Sequence, residues 1–60
     1  NVKTLIADIE EEYDEGAPIE EVLDRADEVK MDPDKVEKEI ESLRKKGELY
    51  EPVQGHLRTT

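Results

Sequence analysis

Residues 47–58, GELYEPVQGHLR, break the helical period that governs everything before them, and that break narrows the folds open to the chain. ELYE and HLRT have strand-like content, and PVQG between them carries turn residues at both ends. A two-stranded hairpin alone is marginal in water. This one must therefore lie against the preceding helices, with Leu49 and Leu57, joined by Val53, as anchors. A loop with an even number of residues would set Tyr50 directly opposite Leu57 across the ladder.

Three stretches before the hairpin have helical spacing. Val2, Leu5, Ile6, Ile9 and Tyr13 share one face of a first helix over about 2–14, which Gly16 and Pro18 terminate. Ile19, Val22, Leu23, Ala26 and Val29 line a second helix over about 19–30, with Glu20 and Glu21 at its positive N-terminal end. Ile19 is equally compatible with a short extended segment just before that helix. The third, about 33–46, has Asp32 as N-cap, Pro33 in the first position and a narrow stripe of Val36, Ile40 and Leu43. Arg44, Lys45 and Lys46 crowd its negative end, and Gly47 caps it. Three helices and a packed hairpin over about 48–59 make one domain, residues 1–60, mainly α with a small β-hairpin. The architecture is a winged helix-turn-helix.

The core available for this fold is thin. There is no Phe, Trp or Cys, so the five valines, five leucines and four isoleucines must nearly all face inward. No disulfide or thiol chemistry is open to the chain. Absence of cysteine fits a reducing interior, and the expected location is cytoplasmic. No apolar run approaches a membrane span. Beginning at Asn1, directly in an amphipathic pattern, the chain is expected to be the C-terminal fragment of a larger protein.

Charge is unevenly divided. Residues 1–34 hold thirteen acids against three bases, a net −10, whereas residues 35–60 hold five against six, a net +1. Any nucleic-acid contact must come from the second half and be weak and salt-sensitive. Arg44, Lys45, Lys46, His56 and Arg58 are the candidates for touching backbone phosphates. An equally good account is that they complement a helix dipole and solubilise a hairpin. The third helix is a poor reader of bases, because Glu37, Glu39 and Glu41 would meet phosphates. Tyr50 is a lone aromatic, and packing on the hairpin explains it better than base stacking. The candidate protein contacts lie on the acidic side of the first two helices, at Glu10, Glu11, Glu20, Glu21 and Asp24.

No catalytic constellation is present. Ser42 and His56 are the only residues of their kinds and do not suggest a triad. The acids at 10–15 have no His or Cys partner and read as a solvated helix face, so no metal site is expected. Asp32-Pro33-Asp34 resembles the start of a calcium loop, but Glu37 stands where that loop needs glycine and Val36 where it needs a ligand. No phosphate-binding glycine motif occurs.

IEEVLDRADEV, DPDKVEKEIESLRKKGELYEP and GHLR together resemble the C-terminal winged-helix domain of archaeal minichromosome maintenance (MCM) replicative helicases. The resemblance spans roughly Val2 to Arg58. It implies a non-catalytic regulatory and interaction domain with no cofactor of its own, tethered to a motor that uses ATP and Mg. That motor would form a hexameric ring, while the isolated domain is expected to be a monomer. The implied partners are the helicase motor of the same chain and the replication initiator protein, with weak or no nucleic-acid binding and no membrane. Two alternatives stand beside this reading. One is a DNA-binding winged helix that uses the wing and the end of the third helix. The other is a protein-interaction winged helix of another replication or transcription complex.

Overall fold

In the computed structural model, which describes residues 1–60, six elements follow one another. They are α1 (Val2–Glu10), β1 (Ala17–Pro18), α2 (Ile19–Glu28), α3 (Pro33–Lys45), β2 (Leu49–Tyr50) and β3 (His56–Thr59). The strands form one antiparallel sheet in the order β1-β3-β2. This is the winged helix-turn-helix expected from the sequence, with one strand more than the hairpin alone supplies.

Local chemistry accounts for the helix ends. The Asn1 side chain accepts a hydrogen bond from the Thr4 N–H at 2.9 Å, and the Asp32 side chain accepts one from the Asp34 N–H at 2.9 Å. Gly47 closes α3 with φ 78°; its N–H donates to the Arg44 carbonyl and that of Glu48 to the Leu43 carbonyl. The turn after α2 has the same paired bonds, Lys30 N–H to Asp27 O and Met31 N–H to Ala26 O. There a lysine, at φ 62°, takes the left-handed position where glycine is usual.

The core sits where the three helices meet the inner face of the sheet. α1 contributes Val2, Ile6 and Ile9, α2 contributes Val22 and Ala26, and α3 contributes Val36, Ile40 and Leu43. Ala17, Leu49 and Leu57 close it from the strands. Each valine, leucine or isoleucine buried in this way contributes about 1.5–3 kcal/mol of transfer free energy.

Four expectations are corrected. Helix α1 stops at Glu10 rather than near residue 14, and Tyr13 lies exposed on the turn that follows. The chain must turn there to bring Gly16 and Ala17 alongside β3. Second, α2 stops at Glu28, and Val29 is 66% exposed instead of continuing the apolar face, because the left-handed Lys30 turn swings it outward. Third, β3 pairs Leu57 with Ala17 and sets Arg58, not Leu57, opposite Tyr50. The loop 51–55 is odd in length, which moves the register by one and leaves Tyr50 on the outer face. Fourth, Val53 is a partly exposed residue of that loop, not an anchor, whereas Leu49 and Leu57 are buried. Ile19 begins α2 directly after β1.

Gly16 has φ 106°, and a Cβ placed on it would lie 2.9 Å from the Leu57 carbonyl oxygen. Gly16→Ala is expected to lower stability by about 2–3 kcal/mol, because strain and steric contact add. Lys30→Gly is expected to raise it by about 1 kcal/mol, by relieving the left-handed conformation. Urea denaturation reads both as shifts of the midpoint at constant slope.

Candidate functional site

The third helix and the wing carry the residues nominated for nucleic acid, and the fold uses most of them internally. Arg44, in the last turn of α3, places its Nη1 3.1 Å from Glu51 Oε1. The other oxygen of that carboxylate accepts the Gly55 N–H at 2.6 Å. Arg44 therefore fastens the end of α3 to the wing loop, and the same carboxylate shapes that loop. On β3, Arg58 donates through Nη2 to the Asp14 carbonyl, with its Nη1 3.7 Å from Glu10 Oε2. His56 Nδ1 lies 3.1 Å from the Gln54 carbonyl oxygen, within the loop. Only Lys45 and Lys46 are exposed and free of ion pairs.

Among the nominated acids, Glu10 is turned inward. Its Oε1 accepts both the N–H and the hydroxyl of Thr59 at 2.8 Å, so a side chain completes the edge of β3 beyond the two residues of β1. Glu21 is held 2.6 Å from Arg25 Nε, one helical turn away. Glu11, Glu20 and Asp24 are exposed and make no ion pair. The ten nominated residues thus do not converge on one free surface. Some hold the fold, and the free ones are divided between the acidic helices and the end of α3.

Sequence reasoning missed the residue that ties α1 to α2. Arg25 donates from Nη1 and Nη2 to the two oxygens of Glu12, both at 2.7 Å, while its Nε serves Glu21. The i,i+4 spacing of Glu21 and Arg25 was legible; the pairing with Glu12, thirteen positions away, needed the turn after α1. The Arg25 hydrogen bond holds the Glu12 carboxyl below the usual range, with burial opposing and the guanidinium charge assisting. Lys3, 3.0 Å from Glu48, lowers that carboxyl chiefly by its hydrogen bond and then by its charge. Each exposed pair is worth little alone, because solvent screens it. Together they link α1, α2, α3 and the wing over a small core.

Opposite the buried stripe of α3 lie Asp34, Lys38, Glu41 and Lys45, all exposed and alternating in sign. Such a face has no net attraction for a polyanion. Beside it, a groove of about 540 Å³ is lined by Ile19, Glu37, Ile40, Glu41, Arg44 and Lys45, again two acids and two bases. No three His, Cys, Asp or Glu side chains are grouped so as to hold a metal ion. No helix is long and apolar enough to cross a membrane.

Residues 2–58 match the family model described as the MCM protein C-terminal winged helix-turn-helix domain. No curated protein and no solved structure matches the chain.

Glu12 and Glu48 titrate lower in the folded chain than when unfolded, so their contribution is complete above the ordinary glutamate value of 4.5. It is lost as pH falls through the depressed folded values. Stability should decline steadily below about pH 4.5. Glu12→Gln should lower stability at pH 7 and flatten that acid slope. Urea midpoints at pH 7, 5, 4 and 3 measure both effects.

Proposed function

Because the chain belongs to the family of MCM C-terminal winged helix-turn-helix domains, we propose that it is a non-catalytic regulatory and interaction module of a replicative DNA helicase. It acts by protein contacts, on the helicase motor and on the initiator protein, and contacts DNA weakly or not at all. The motor, outside these 60 residues, supplies the ATP and Mg chemistry. One observation carries this reading: all three arginines of the chain, Arg25, Arg44 and Arg58, are engaged with glutamates of the same chain. Arginine is the side chain best suited to grip phosphate and guanine edges; here the Arg25 fork is filled by Glu12, and Arg44 and Arg58 each lie within 4 Å of a carboxylate of the same chain. The alternating outer face of α3 and the net charge of −9 point the same way.

A second reading has one specific support. Lys45 and Lys46 remain free at the end of α3, and could meet two phosphates without reading sequence.

Amide chemical shifts during titration with single- and double-stranded DNA separate the two. The expected result is a dissociation constant weaker than about 10⁻⁴ M at physiological salt. Lys45→Glu with Lys46→Glu should change it little, while removing the domain from its parent helicase alters the ATPase rate. Salt-sensitive shifts at 44–47 and 54–58 with tighter binding, abolished by the double substitution, would make DNA the ligand instead.

A further inference from the structure

The largest exposure of an aliphatic side chain lies away from the wing, at the turn between α2 and α3. Val29 is 66% exposed there. With Met31 and Leu5, both half-buried, it brings apolar surface from α1 and from the α2–α3 turn to one place. Two grooves flank Asn1 and share Met31. One, of about 240 Å³, is lined by Thr4, Leu5, Asp8 and Val29; the other, of about 460 Å³, by Val2, Asp32, Lys35, Val36 and Glu39. Methionine adapts its shape readily and suits a surface that accepts a partner's side chain. The left-handed Lys30 is the one non-glycine residue with positive φ, and it holds Val29 outward. A chain with so little apolar material gains nothing for its own core by that arrangement.

The rim selects the occupant by charge. Asp8, Asp32 and Glu39 line the grooves, against Lys35. None of these four is in an ion pair. An acidic rim disfavours a second copy of this −9 chain, and equally nucleic acid or an anionic membrane. The groove beside the wing, by contrast, has balanced walls and makes no such selection.

We propose that the grooves around Met31, between the N-terminal half of α1 and the α2–α3 turn, dock a basic amphipathic protein segment. Aliphatic anchors of that segment pack on Leu5, Val29 and Met31, while its lysines and arginines meet Asp8, Asp32 and Glu39. The proposal rests on the interaction-module reading and gives that module its contact face.

Two synthetic peptides of roughly 16 residues test it, each helical with leucines at i, i+4 and i+7 spacing. One carries lysine and arginine at the remaining polar positions and the other glutamate. With the basic peptide, shifts should cluster at Leu5, Asp8 and residues 29–35, and binding should weaken with salt. The acidic peptide should not bind. Val29→Lys, at a site too exposed to disturb the fold, and the pair Asp8→Lys with Glu39→Lys should each weaken binding about tenfold or more. Shifts elsewhere, equal binding of both peptides, or unchanged affinity in Val29→Lys would overturn the proposal. The parent helicase separates this from the broader reading. If deleting the domain changes the ATPase rate but Val29→Lys does not, the docking face is wrong and the module reading stands. If the peptide results hold and neither change moves the ATPase rate, the groove stands and the regulatory reading falls.

Discussion

The close passage of Gly16 over the Leu57 carbonyl is the contact on which the rest of the architecture depends. β3 is the middle strand, and Leu57 at its centre is fully buried. For Ala17 to pair with Leu57, the backbone just before it must come within reach of β3, where no side chain fits. That demand ends α1 at Glu10, creates the turn that exposes Tyr13, and starts α2 at Ile19. It also converts an isolated hairpin, marginal by itself, into two strands of a three-stranded sheet backed by helices.

Around this thin core the charged residues act as fasteners. Lys3 with Glu48, Glu10 with Arg58, Glu12 with Arg25 and Arg44 with Glu51 each join one element of the fold to another or to a loop. The consequence reaches function. A winged helix that binds DNA firmly needs guanidinium groups directed at the duplex, and here they face carboxylates of the same molecule. What remains free is lysines without an arginine among them, two of them adjacent at the end of α3, together with the exposed acids of the first two helices and the apolar grooves beside the α2–α3 turn. The same charges that hold a small domain together thus bias it toward protein partners.

The candidate residues were only partly legible in the sequence. Lys45 and Lys46 lie exposed, as a basic cluster beside a helix-ending glycine suggests. Arg58 and Glu10 had no sequence signal of their pairing, since they lie 48 positions apart and meet only because α1 crosses the end of β3. β1 was invisible for a related reason. It is two residues long and includes a proline, so it has neither the length nor the alternation that marks a strand.

By itself the sequence determined three helices, their caps at Asp32 and Gly47, the hairpin with Leu49 and Leu57 inward, and the absence of a strongly basic face. Those are consequences of local periodicity, backbone preference and charge, which act over a few residues. The tertiary structure decided where α1 stops, the third strand, the register that puts Tyr50 against Arg58, and the exposure of Val29. Each of these depends on contacts between segments far apart in the chain. Only packing against a neighbouring element selects among conformations that local propensity leaves nearly equal in free energy.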